Sequence, residues 1–200
     1  LDKSSQPLFE KIVLACIEQI LTWREMGYNC LICINIDTRQ LISDKFIAFI
    51  EETLQQYSWL AQLISFEITE VCKIHDEVKA QAMLAKLRQY GFSISIDDFG
   101  TGFAAMQYLI KYPIDVLKID RLFITDILQD TKKQVIVKSV IEMAHSLSMQ
   151  ALAEGVSNRE EIEYLRSLGC DLIQGFGFGV PMSSKDASKW LKANYKPNYL

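Results

Sequence analysis

The chain has 200 residues, half of them apolar and 23% charged, a composition that excludes a disordered chain and allows one domain with a large core. Lys plus Arg number 21 against 25 Asp plus Glu, and the net charge of −4 argues against a generic binder of nucleic-acid polymers or anionic membrane. No apolar run reaches the roughly 18–20 residues of a membrane span, and the best candidate, Lys11–Trp23, is interrupted by Glu18 and Gln19.

Pro7–Met26 carries apolar residues at helical spacing and stops at Gly27. Cys30–Ile36 is apolar and β-branched, as a strand is, and Ser43 is placed to cap a helix over Asp44–Gln56. Ile64–Ile68 is the next strand, and Asp76–Tyr90 a helix ended by Gly91. Phe92–Asp97 alternates as a strand does, and the Gly100-Thr101-Gly102 turn leads to a short helix near Ala104–Lys111 broken by Pro113. Val116–Asp120 is a strand and Ile124–Leu147 one long helix. Gln150–Glu154 is a strand, Asn158–Leu168 a helix, Asp171–Gln174 a strand, and Lys185–Lys192 a final helix. No long linker interrupts this order, so one domain is expected.

Strands alternating with helices imply a parallel sheet covered by helices. A closed eight-stranded barrel of this kind usually needs about 250 residues, so six strands mean an open sheet or a barrel about two strands short. The polar residues favour the barrel. Each strand has a charged or amide residue at or near its C-terminal end: Asn35, Glu67, Asp97, Lys118, Glu154 and Gln174. An open sheet gathers its site at one switch point, whereas a barrel lets every strand end converge on one mouth. Alternation then turns Ser93, Ser95 and Asp97 toward the interior and Phe92, Ile94 and Ile96 toward helices. By the same period Lys118 shares a face with Asp120, and Cys33 with Asn35 and Asp37.

Carboxylates gathered at one mouth repel and raise one another's pKa, and a divalent cation relieves that repulsion. Oxygen donors without His or Cys suit Mg²⁺, Mn²⁺ or Ca²⁺ rather than zinc. Asp97-Asp98 can reach two adjacent ions, an arrangement suited to phosphoester hydrolysis, and Lys118 can orient or deprotonate the attacking water or neutralise the developing charge. Each piece also has a plain structural reading. Asp-Asp before a Gly turn is ordinary turn chemistry. Lys118 can pair with Asp120 or Glu154, and Gly100-Thr101-Gly102 is a tight loop or a phosphate nest. His75 and His145 read as surface residues, and Glu160, Glu161, Glu163 and Arg166 as a solvated helix face. The odd set Cys16, Cys30, Cys33, Cys72 and Cys170 argues for a reducing cytoplasm. Cys30 and Cys33 have the spacing of a zinc or redox pair, but three apart on a strand they face opposite ways and read as ordinary buried thiols.

Asp97-Asp98-Phe99-Gly100-Thr101-Gly102-Phe103, Pro113–Asp120, Ala153-Glu154-Gly155-Val156, Leu168-Gly169-Cys170-Asp171, Gln174-Gly175-Phe176 and Pro181-Met182 together resemble the EAL domain of bacterial cyclic-di-GMP phosphodiesterases. Ile34-Asn35-Ile36 and Phe66-Glu67-Ile68-Thr69-Glu70 match its earlier motifs, so the resemblance covers nearly the whole chain in order. It implies a modified TIM barrel that hydrolyses cyclic di-GMP to the linear dinucleotide with Mg²⁺ or Mn²⁺, two ions in all. Asn35, Glu67, Asp97 and Glu154 would be metal ligands, and Asp98 would serve the second ion. Lys118 would act on the nucleophilic water, with Gln174 in support, and Asp120 and Gly175 on the substrate side. Glu70 would anchor the Asp98–Met106 loop, and a homodimer would form through Ala104–Tyr112.

The chain departs from the family pattern in three places. The namesake Glu-Ala-Leu segment of the first strand does not occur before Pro7, in agreement with the count of six strands. Ser157 stands where the family usually has Glu, and Phe103 where Tyr is common. Leu1 is not an initiator methionine. Residues 1–200 are therefore expected to be one N-terminally incomplete EAL-type domain, cytoplasmic and preceded by a regulatory domain. The alternatives are a receptor that binds cyclic di-GMP without cleaving it and a protein-interaction module. A glycosidase using Asp97 and Glu154 would leave Lys118 and Gln174 unexplained.

Overall fold

The computed structural model describes residues 5–69, 76–100 and 105–195. Six parallel strands form one sheet in chain order: β1 (Ile32–Asn35), β2 (Ile64–Thr69), β3 (Ser93–Phe99), β4 (Val116–Ile119), β5 (Gln150–Ala153) and β6 (Leu172–Ile173). The helices are α1 (Ser5–Glu25), α2 (Thr38–Leu41), α3 (Asp44–Gln56), α4 (Glu77–Gln89), α5 (Ala105–Lys111), α6 (Arg121–Ile124), α7 (Thr131–Ser146), α8 (Arg159–Ser167) and α9 (Ser184–Asn194). Parallel neighbours need a crossover, and a helix supplies most of them. All six C-terminal strand ends therefore lie on one side. The expected alternation of strand and helix is found, and the sheet is a barrel left open between its edges β1 and β6.

Local chemistry sets the boundaries. Asp76, Asp130, Asn158 and Ser183 each accept a backbone N–H from the first turn of α4, α7, α8 and α9, satisfying donors the helix leaves free. Ser43 stands at the cap position of α3, but its side chain makes no capping bond. The helix expected over Ile124–Leu147 starts only at Thr131. α6 ends at Ile124, Asp126 takes a left-handed φ of 57°, and Asp130 restarts the chain by accepting from the amides of Lys132 and Lys133. Helical spacing continues across the break in the sequence, whereas capping by Asp130 needs the turn. α2 was not expected either. Its Asp37 belongs to a capping box with Gln40 rather than to the strand face of Cys33 and Asn35.

Phe9, Val13, Ile17 and Ile20 are buried along one stripe of α1. Phe46 of α3 meets Phe66 of β2 edge to face at 5.7 Å, and Phe66 meets Phe92 at 5.0 Å. This ring stack fastens the helical layer to the sheet, as the outward face of Phe92, Ile94 and Ile96 requires. Phe66 is fully buried, and Phe66→Ala is expected to cost about 3–5 kcal/mol in urea unfolding. At the opposite end of the strands lies His145, a surface residue as expected. It is half-exposed, and its Nε2 pairs with Asp171 at 2.8 Å, while Asp171 also accepts the Ala151 amide.

Among the described residues β1 and β6 are each paired on one side only. Both edges line a single cleft of about 830 Å³, with Trp23 and Trp190 at its wall and Phe176 from the loop after β6. No helix among the described residues is long and apolar enough to cross a membrane.

Candidate metal and catalytic centre

Lys118 lies in the middle strand region, and every residue of β4 around it is buried. Its side chain is 4% exposed. Nζ bonds Glu67 Oε1 at 2.9 Å from β2, Asp97 Oδ1 at 2.8 Å from β3 and Glu154 Oε1 at 2.7 Å from the end of β5. An ammonium has three donors, and all three are spent on carboxylates from three different strands. Burial alone would lower the Lys118 pKa, but its bonds to Asp97, Glu154 and Glu67 outweigh that and hold it above the ordinary lysine value. The pairing with Asp120 does not occur. Asp120 instead caps α6, accepting from the Leu122 amide at 2.7 Å.

Asp97 and Asp98 are adjacent, so an ideal strand would turn them to opposite faces. The register of β3 on β4 shifts between Ile96 and Phe99, and Asp98 has a left-handed φ of 56°. A bulge with a positive φ re-aims a side chain. As a result ligand oxygens of Asp97, Asp98 and Glu154 all lie within 4.8 Å of one another. Burial, then the charges of Asp97 and Asp120, push the Asp98 carboxyl up. Burial raises Glu154 as well, against the pull of Lys118. Three hard oxygen donors this close, short of positive charge, fit a divalent cation of the Mg²⁺ or Mn²⁺ type.

The other expected site residues stand around this centre. Asn35 is exposed at the end of β1, in register with Glu67. Glu67 joins the cluster through Lys118 rather than through the close triad. Gln174 and Gly175 line the cleft, and Gly175 also packs on Val156 in the loop after Glu154. Glu70 lies outside the described residues, as do residues 101–104 of the expected anchored loop.

Two features were missed in the sequence. Glu161, expected on a solvated face, is buried at 6% exposure. Its carboxylate accepts from the Ser157 amide at 2.8 Å and the Ser157 hydroxyl at 3.0 Å. The substituted Ser157 thus ties the loop after Glu154 to α8, and the i to i+4 spacing was the only signal. The second is Cys33, expected as a buried thiol but exposed on the cleft side at the open edge of β1, where its thiol bonds Glu67. Burial, then Glu67, push it up to about 12. Its alkylation by iodoacetamide at mild alkaline pH is expected to be about fifty-fold slower than that of an ordinary thiol, because little thiolate forms and higher nucleophilicity offsets only part of this. Peptide mass spectrometry over time checks it. Cys16, Cys30, Cys33 and Cys170 are all free thiols.

The family pattern named EAL domain matches residues 3–181. The chain belongs to the EAL domain family. This EAL domain is 32% identical over 190 residues to the cyclic di-GMP phosphodiesterase PdeR of Escherichia coli, covering 95% of the chain but 29% of PdeR. It is 36% identical, with a TM-score of 0.76, to the EAL enzyme Bd1971 in its cAMP and cyclic-di-GMP bound form, covering 86% of this chain and 46% of that one. It is 26% identical, with a TM-score of 0.77, to Klebsiella pneumoniae BlrP1 in a manganese and cyclic-di-GMP complex, covering 92% of this chain and 47% of that one. The chain thus spans less than half the length of each of these relatives. Their shared fold is the TIM-barrel-like α/β architecture in which this EAL domain sets its strand ends.

Proposed function

We propose that this EAL domain is the catalytic unit of a phosphodiesterase that opens cyclic di-GMP to the linear dinucleotide pGpG. The observation that carries the reading is the Asp97, Asp98 and Glu154 triad beside the threefold-bonded Lys118. PdeR is named for this activity, and BlrP1 was solved with manganese and the cyclic dinucleotide.

Asp97, Asp98 and Glu154 would hold the metal, with Asn35 and Glu67 at the neighbouring strand ends as further oxygen ligands and two ions as the full complement. Bound Mg²⁺ or Mn²⁺ supplies Lewis-acid polarisation of the phosphoester and a more acidic water. The chain's own residues do the rest. Lys118 is an ammonium donor whose partners are the same carboxylates, so it stands where it can orient the attacking water and neutralise charge on the phosphorane. Asp120 follows β4, Gln174 and Gly175 follow β6, and these three would serve water and substrate. Glu70 is assigned to the loop that follows Asp98.

The reading extends to assembly. Met106 and Ile110 of α5 are 59% and 86% exposed, which supports a homodimer through the 104–112 region. Ile110→Glu is expected to shift sedimentation from dimer to monomer. An unchanged dimer moves the interface elsewhere. The cleft between the edges β1 and β6 supports residues 1–200 being an EAL-type unit that further strands close.

The test is hydrolysis by the full-length protein. With Mn²⁺ or Mg²⁺, chromatography is expected to show pGpG forming from cyclic di-GMP, and EDTA to stop it. Mn²⁺ should also raise the melting temperature, and Asp97→Asn should remove most of that rise. Thermal stabilisation by cyclic di-GMP without product would overturn catalysis and leave a receptor.

A further inference from the structure

We propose that Lys118 is an internal counter-ion that competes with the divalent cation for the carboxylates of Asp97 and Glu154. The inference rests on the metal-centre reading above and goes beyond it by assigning the lysine a second task, control of metal affinity.

The geometry is specific. Lys118 Nζ bonds Asp97 at 2.8 Å and Glu154 at 2.7 Å. The same two carboxylates are two of the three members of the triad that closes within 4.8 Å. A metal in that triad and the ammonium therefore draw on one pool of negative charge. The lysine is 4% exposed, so bulk salt does little to screen the repulsion between the two cations. The ammonium has another consequence. Glu67, Asp97 and Glu154 come from separate strands, and without a cation between them they would repel. Lys118 holds these strand ends together, and a metal ion takes over part of that work as it enters. Metal affinity is thereby set lower than the bare oxygen donors would give, and uptake exchanges one cation's bonds for another's.

The test is a Mn²⁺ titration of the full-length protein and its Lys118→Met variant, reading free Mn²⁺ by electron paramagnetic resonance and melting temperature with and without EDTA. Methionine keeps the length and removes the charge. The variant is expected to bind Mn²⁺ about tenfold more tightly or better, a change of about 1.4 kcal/mol or more. It should melt lower in EDTA and gain more on Mn²⁺ addition than the parent. Damage to the site alone would weaken metal binding, so tighter binding is not a structural side effect. Equal or weaker affinity in a folded variant overturns the proposal. Lys118→Arg, which keeps the charge, is expected to stay within about threefold of the parent; tenfold tighter binding there also overturns it, and this arm stands if the methionine variant does not fold in EDTA. If neither parent nor variant binds Mn²⁺, the metal-centre reading itself has failed, a result distinct from binding that ignores Lys118.

Discussion

Lys118→Ala is expected to lower turnover of cyclic di-GMP by about 10²–10⁴-fold while changing its binding far less. The lysine does not line the cleft between β1 and β6. It is buried among three carboxylates at 2.7–2.9 Å, within reach of anything those carboxylates hold. An ammonium so placed would act on charge that develops during phosphoester cleavage, and such interactions appear in the rate of the chemical step rather than in ground-state affinity. The variant also leaves buried carboxylates without their partner, which costs about 3–5 kcal/mol where nothing replaces it. Turnover is therefore to be compared at saturating Mn²⁺, below the melting temperature of the variant. Equal losses in turnover and in binding would remove Lys118 from the chemical step.

Gly175→Ala is the second large effect. The Gly175 φ is 155°, and a Cβ there would lie 2.2 Å from the Val156 carbonyl oxygen and 2.4 Å from its nitrogen. Those are backbone atoms of a fully buried residue, so no side chain can swing aside. The same backbone is tied down twice, Val156 N donating to Gln174 O at 3.1 Å and Gly177 N donating to Val156 O at 2.9 Å. The added methyl must push apart the loops after β5 and β6, which carry Glu154 and Gln174. The expected cost is about 3 kcal/mol in urea unfolding, with hydrolysis reduced because Glu154 moves. A loss under about 1 kcal/mol with full activity would show that the loops part freely and that this contact does not position the centre.

Much of the molecule was legible in the residue order. Polar residues at the ends of six alternating apolar runs pointed to one mouth, and Glu67, Asp97, Lys118 and Glu154 do meet there. The period-2 pattern of Phe92–Asp97 correctly separated the helix-facing side from the interior. The failures share a cause. The break at 125–130, the burial of Glu161 and the capping role of Asp37 all depend on a bond between side chain and backbone. Periodicity does not register such bonds, because they leave the apolar spacing unchanged.

The sequence by itself determined the parallel α/β architecture, the strand from which each polar group comes and the membership in the EAL family. Those follow from repeating patterns and from motif order, which are properties of the chain read in one dimension. Only the tertiary structure decided that Asp97 and Asp98 converge instead of diverging, since a shifted register and one left-handed residue override the alternation of an ideal strand. It also decided that Lys118 bonds Glu67, Asp97 and Glu154 rather than Asp120, because strand stagger and burial, not distance along the chain, set which charges can reach a common point.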